Sequence, residues 1–196
     1  MEGFRDNDQS FATKALHAGQ DPEQWSSMAV VPPISMSTTF KQYGPADFKQ
    51  YEYGRSGNPT RDCLEAALAA VDGAEFAFTF SSGLAATSTI TQLLKAGDHL
   101  IAMDDLYGGT NRYFRRVASN MGIETSFVDA TNPQKVAEAI KPNTRMVWIE
   151  TPTNPTLKVT SLNSRKKLEK YCENTVVPFC LAVDNFNFTK KFFCYF

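Results

Sequence analysis

Apolar and polar positions along the chain change period several times, and the changes mark the elements. Phe11 to His17 carries one short helical repeat, stopped by Gly19. From Asp21 to Tyr53 no period survives, and Pro22, Pro32, Pro33 and Pro45 interrupt the text. Val30-Val31-Pro32-Pro33-Ile34-Ser35 is apolar, but its prolines remove ladder donors and exclude a central strand. A long irregular stretch rich in apolar residues reads as an arm laid against a neighbouring subunit.

A helical period begins at Asn58-Pro59, a cap followed by a first-turn proline. Leu64, Ala67, Leu68 and Val71 fall at core spacing, and Asp72-Gly73 ends the helix. Phe76 to Phe80 alternates like a short buried strand. The alternation breaks at Ser81-Ser82-Gly83, and a helix with Ile90, Leu93 and Leu94 on one face follows. Gly97-Asp98 closes that helix, and His99 to Met103 reads as the next strand. A polar loop through Tyr107 and Arg112 leads into a helix reaching about Asn120. Strands are expected at Ile123 to Val128, Met146 to Glu150 and Val176 to Val183. Helices are expected from Asn132-Pro133 to Ile140 and over about Asn163 to Glu173.

This alternation of strand and helix defines an α/β chain with a mostly parallel sheet and flanking helices. Ligands in such sheets gather at the carboxyl ends of the strands. Ser81-Ser82-Gly83, Tyr107, Asn154 and Asp184 all lie just past a strand end, so they can converge. The last stretch, residues 186–196, is an aromatic tail with five of the fifteen phenylalanines and no cap, period or turn logic.

Composition narrows the function classes. The 196 residues carry a formal net charge of -1, with no basic excess to meet a nucleic-acid backbone. No apolar run is long enough for a membrane-spanning helix, and Met1 to Asp8 lacks a signal core, so a cytoplasmic location is expected. Cys63, Cys172, Cys180 and Cys194 are scattered, which argues against a zinc site or a disulfide framework. Cys63 and Cys180 sit in apolar patterns and read as buried thiols. His17 and His99 are too few for a histidine metal centre or a triad.

The turn at Ser82, Gly83 and Leu84 aims free backbone N–H groups at one spot, and the helix dipole suits that spot to a phosphate. Taken alone it equally describes an ordinary serine cap with a loop glycine. It has neither the Gly-Lys-Ser/Thr of a Walker loop nor a Gly-x-Gly-x-x-Gly fingerprint. With Tyr107 as a stacking face, Asn154 as an amide donor and Asp184 as a carboxylate, the set meets the needs of pyridoxal 5'-phosphate. The phosphate takes amides and hydroxyls, the ring takes an aromatic face, and the ring nitrogen takes a carboxylate that makes the ring an electron sink.

Four stretches carry a resemblance. Tyr53-Gly54-Arg55-Ser56-Gly57-Asn58-Pro59-Thr60, Ser82-Gly83-Leu84-Ala85-Ala86, Asp105-Leu106-Tyr107-Gly108-Gly109-Thr110 and Glu150-Thr151-Pro152-Thr153-Asn154-Pro155 are similar to the cysteine/methionine-metabolism enzymes that use pyridoxal phosphate. The likeness runs from about Phe11 to Asn185. It implies the PLP-dependent transferase fold of type I, here truncated. Residues 1–57 would be an arm contacting a neighbouring subunit, 58–185 part of the PLP-binding domain, and 186–196 an atypical tail.

The implied activity is that of a carbon–sulfur lyase of transsulfuration, cleaving cystathionine to cysteine, 2-oxobutanoate and ammonia, in a homo-oligomer. By the same likeness Tyr53 and Arg55 reach a neighbour's cofactor phosphate, and Arg55 also lies on the substrate side. Ser82, Gly83 and Leu84 bind the phosphate at home. Tyr107 stacks on the ring and stands beside the substrate as a catalytic tyrosine. Arg112 faces the substrate amino acid, Asn154 the ring hydroxyl and Asp184 the ring nitrogen. The family's cofactor lysine lies in a Ser-x-Thr-Lys motif downstream of the aspartate. Lys190 and Lys191 follow Asp184 without that motif. The resemblance therefore implies a chain inactive alone. Two alternatives remain: a non-catalytic product that binds cofactor or full-length subunits, and a synthase or another sulfur-amino-acid lyase of the same family.

Overall fold

A computed structural model describes residues 10–160 together with Phe179–Cys180 and Phe192–Tyr195. The expected helix at Asn163 to Glu173, most of the strand expected at Val176 to Val183, and Asp184 lie outside the described residues. The chain divides into two compact units.

The first unit is built around one helix. Helix α1 (Phe11–His17) is capped by Ser10, and α2 (Pro59–Val71) by Asn58, whose side chain accepts from the amides of Thr60 and Arg61. Gly19, at φ +72°, lets the chain cross α2 closely: a Cβ there would stand 2.7 Å from that of Ala66. The stretch expected to be irregular is mostly so. It holds a 3-10 turn at Pro22–Gln24 and a small antiparallel pair, β1 (Gln42–Gly44) with β2 (Asp47–Phe48). It is tied to α2, because the Ser35 amide donates to Thr60 Oγ1 at 2.8 Å.

Two expectations about this unit change. Cys63 and Ala69 are the buried residues of α2, whereas Leu64 is exposed. Strand β3 (Phe76–Thr79) does alternate, but its buried residue is Ala77. Phe76 and Phe78 are 45% and 43% exposed. Period fixes which residues share a face, and the partner decides which face turns inward. Here β3 contacts α2, and a small residue permits that approach. The aromatic tail also acquires a role. Its strand β8 (Phe192–Tyr195) pairs parallel to β3, Phe76 opposite Phe192 and Thr79 opposite Tyr195. A lone strand offers an open ladder, and aromatic residues favour strand geometry.

The second unit carries the parallel sheet. Strands β4 (His99–Met103), β5 (Glu124–Val128), β6 (Thr144–Glu150) and β7 (Phe179–Cys180) form it in the order β5-β4-β6-β7. All its pairings are parallel. Every residue of β4 is buried, and so are Met146 to Ile149 of β6, as expected for strands covered on both faces. Helix α3 (Gly83–Thr91) precedes β4, with Ala86, Thr87 and Thr91 as its buried residues; Leu94 just beyond it is buried and Leu93 exposed. Helix α4 (Gly108–Tyr113) continues as a π-helical turn over Phe114–Ala118 and a 3-10 turn over Ser119–Met121. Gly122, at φ +79°, ends the run. Phe114 meets Trp148 edge to face at 5.3 Å, which fixes this helical run on the sheet. Helix α5 (Pro133–Glu138) is capped by Asn132.

Candidate functional site

The carboxyl ends of β4 and β6 lie side by side, since Ala102 pairs with Trp148. The loops leaving them therefore start together. The β4 loop brings Asp104, Asp105 and Tyr107, and the β6 loop runs from Thr151 to Thr160. Polar contacts join them throughout. Both the Thr153 and Thr156 hydroxyls donate to Asp105, and the Thr156 amide donates to it at 3.3 Å. Lys158 Nζ lies 3.0 Å from the Asp104 carboxylate. The Tyr107 amide donates to Glu150 Oε2 at 3.0 Å.

Charges at this rim respond to those contacts. Hydrogen bonds from Thr153 and Thr156 hold the Asp105 carboxyl below its ordinary range. Burial pushes the Glu150 carboxyl up, with nearby Asp105 adding to the rise; the amides of Tyr107 and Asn154 oppose it. The hydrogen bond to Asp104 raises the Lys158 ammonium.

Tyr107 is the N-cap of α4 and stands 51% exposed. Its ring lies over Gly109, where a Cβ would come within 2.6 Å of the ring. The glycine is thus what lets the ring take this position. Asn154 is exposed at the tip of the β6 loop, and Arg112 is exposed on α4. At the start of α3, Ser82 Oγ accepts from the Ala85 amide at 3.2 Å. The amides of Gly83 and Leu84 find no acceptor among the described residues. These are free donors of the kind a phosphate takes, at the positive end of a helix. Helices α3 and α4 pack against each other. Two open amides, an uncovered aromatic face and an exposed amide side chain fit a phosphorylated flat ring. Asp184 falls outside the described residues.

In the other unit, Tyr53 and Arg55 are stacked, with the guanidinium 4.3 Å from the ring centroid. Arg61 Nη1 donates to the Gly54 carbonyl at 3.1 Å and Nη2 to that of Arg55 at 3.4 Å. Glu65, 3.8 Å from Arg61, accepts from the Thr79 amide and hydroxyl. These side chains hold the loop that carries Tyr53 and Arg55.

Reasoning from sequence passed over Glu150 and Asp105 as site residues. A single carboxylate at a strand end or in a loop has no spacing signal; only the adjacency of β4 and β6 gives each its partners.

The fold is that of PLP-dependent enzymes of type I architecture, here truncated. Residues 12–193 match the family described as Cys/Met metabolism PLP-dependent enzyme, and the chain belongs to that family. It is similar to cystathionine gamma-lyase of Homo sapiens, 64% identical over 158 residues, covering 81% of this chain and 39% of that protein. The Bos taurus cystathionine gamma-lyase is 57% identical over 186 residues, covering 93% of this chain and 44% of that one. Among solved structures, cystathionine gamma-lyase from Lactobacillus plantarum, complexed with L-serine, matches with a TM-score of 0.80 at 36% identity, over 87% of this chain and 44% of that one. The metB structure from Corynebacterium glutamicum matches with a TM-score of 0.78 at 40% identity, over 90% of this chain and 45% of that one. The chain thus spans less than half the length of each of these relatives. Among the described residues, no helix is long and apolar enough to cross a membrane.

Proposed function

We propose that this sequence forms the N-terminal part of a carbon–sulfur lyase that uses pyridoxal phosphate to cleave cystathionine, with water, into cysteine, 2-oxobutanoate and ammonia. The observation that carries this reading is the rim at the ends of β4 and β6, which presents Tyr107 and Asn154 beside a helix whose first amides are open. When bound, pyridoxal phosphate supplies an electron sink for charge developing at the substrate Cα. Gly83 and Leu84 donate their amides to its phosphate, helped by the Ser82 hydroxyl. Tyr107 offers its ring face to the pyridine and Asn154 its amide to the ring hydroxyl. Asp184, outside the described residues, would by its likeness to the family pair with the ring nitrogen. Arg112 attracts the substrate carboxylate. Tyr53 and Arg55 donate to the phosphate of a neighbouring copy, a role supported by the exposed apolar side chains of Val30, Val31 and Ile34 on the same stretch. Likeness to the human lyase at 64% identity favours a lyase over a synthase, since a probable cystathionine gamma-synthase of Herpetosiphon aurantiacus is 51% identical.

The sequence contains no Ser-x-Thr-Lys motif. A polypeptide of these 196 residues, supplied with pyridoxal phosphate and cystathionine, is therefore expected to release 2-oxobutanoate no faster than the free cofactor does. Turnover well above that rate, abolished by Lys190→Ala or Lys191→Ala, would place the base for the Cα proton within this sequence and overturn the expectation.

A further inference from the structure

Glu150 and Asp105 each bind the loop opposite their own. Glu150 closes β6, yet it accepts the amide of Tyr107 on the β4 loop at 3.0 Å. The Asn154 backbone amide acts on the same carboxylate. Asp105 stands two residues before Tyr107, yet it accepts the hydroxyls of Thr153 and Thr156, the residues that bracket Asn154-Pro155. Between them the two carboxylates fix both ends of the geometry: the backbone that aims the Tyr107 ring and the backbone that aims the Asn154 side chain. Neither carboxylate has an ion-pair partner among the described residues. Lys158, the cation on the loop, pairs with Asp104 instead.

We propose that Glu150 and Asp105 are positioning residues, a two-carboxylate clasp that sets Tyr107 and Asn154 at a fixed mutual spacing for a flat aromatic ligand. The proposal rests on the cofactor reading above for the identity of that ligand. The clasp itself is a statement about two loops. Glu150 takes the Tyr107 amide on Oε2, and an amide in its place keeps the size but loses the charge that strengthens this bond and one of its two acceptor oxygens. At Asp105 two hydroxyls and an amide converge on Oδ2, so an Asn there keeps one oxygen but loses the charge that strengthens all three bonds. Deep core residues on the same strands, such as Ile101 and Val147, give a reference that the clasp does not touch.

The experiment compares the chain with Glu150→Gln, Asp105→Asn and Glu150→Ala. Amide hydrogen exchange is read residue by residue, and equilibrium dialysis measures the affinity for pyridoxal 5'-phosphate. Hydrogen bonds to charged groups are strong enough that exchange at Tyr107 and Asn154 should quicken about tenfold or more in each variant. Exchange at Ile101 and Val147 should be unchanged. Pyridoxal phosphate should bind about tenfold more weakly, and no more weakly still when Tyr107→Ala is added to Glu150→Ala. Unchanged exchange at Tyr107 and Asn154 in both conservative variants overturns the clasp. Faster exchange with unchanged cofactor affinity overturns its role in aiming the ligand. An unsubstituted chain that retains no pyridoxal phosphate at all sinks the cofactor reading and the ligand half of the proposal with it, while the exchange result still decides whether the clasp exists. Should Glu150→Ala fail to fold, the two isosteric variants carry both measurements.

Discussion

Strand β4 and the stretch from Met28 to Met36 are about equally apolar, and they meet opposite fates. In β4, Leu100, Ile101, Ala102 and Met103 are sealed from solvent. In the other stretch, Val30 and Ile34 are both 78% exposed, and Val31 and Met36 are similarly open. The prolines explain part of the difference, because Val30-Val31-Pro32-Pro33 cannot complete a ladder and so cannot enter the sheet. Exposed apolar residues that a chain does not cover itself mark a surface for another molecule. The contrast separates residues that hold the fold from apolar residues left exposed, and three measurements test it.

The largest effect is expected in the strand. Leu100→Ala removes a fully buried side chain flanked by Thr125 on β5 and Met146 on β6. It should cost about 2–5 kcal/mol, read as a shift in the urea midpoint. A cost near zero would mean that the sheet core is loosely packed and that the contrast with the Met28 to Met36 stretch is only one of accessibility.

An intermediate effect is expected at the amino ends of the same strands. His99 is buried, with Nδ1 2.7 Å from Thr144 Oγ1 and Nε2 2.9 Å from Ser126 Oγ. Burial holds its pKa below the ordinary 6.5, nearby Lys141 adds to the fall, and Glu124 opposes it. The unfolded chain therefore takes up a proton near pH 6.5 while the folded chain does so only at lower pH. Between the two values the unfolded state binds more protons. The contribution is full above about pH 6.5 and shrinks as the pH falls, by at most about 1.4 kcal/mol per pH unit. Denaturant titrations at pH 7.5, 6.5 and 5.5 should trace this decline, and His99→Gln should flatten it. A slope of the same size in the variant would assign the acid sensitivity elsewhere.

The smallest effect on stability is expected in the exposed stretch from Met28 to Met36. Ile34→Ser should move the urea midpoint of the isolated chain by no more than about 0.5 kcal/mol, as for an exposed site. The same substitution should reduce recovery of the chain in a mixed oligomer when it is co-expressed with a full-length lyase. A stability loss comparable to that of Leu100→Ala would show that the stretch is covered within its own chain and would erase the contrast.

Local signals in the sequence proved reliable where one residue type does one backbone job. Asn58-Pro59 and Asn132-Pro133 open helices, Ser82 caps α3, and Asp72-Gly73 ends α2 with Gly73 in the left-handed region. The order of strands and helices from β3 to β6 was legible for the same reason. Family motifs pointed to the turn at Ser82, to Tyr107 and to Asn154, and each of these does stand just past a strand end, after β3, β4 and β6.

What stayed hidden depends on which surfaces meet. Leu64 lies at core spacing on α2 yet is exposed, while Cys63 and Ala69 are buried. β3 turns Ala77 inward and pairs with β8, and among the described residues it is not part of the four-stranded sheet. The order β5-β4-β6 is written nowhere in the sequence, and it alone brings Asp105 to Thr153 and Thr156 and Glu150 to Tyr107. A sequence sets caps, turns and periods because these are interactions among neighbours a few residues apart. The inward face of a helix, the partner of a strand and the contacts of a lone carboxylate depend on residues beyond the local window, 43, 48 and 51 positions away for the bonds of Glu150 and Asp105, and only the tertiary structure brings those together.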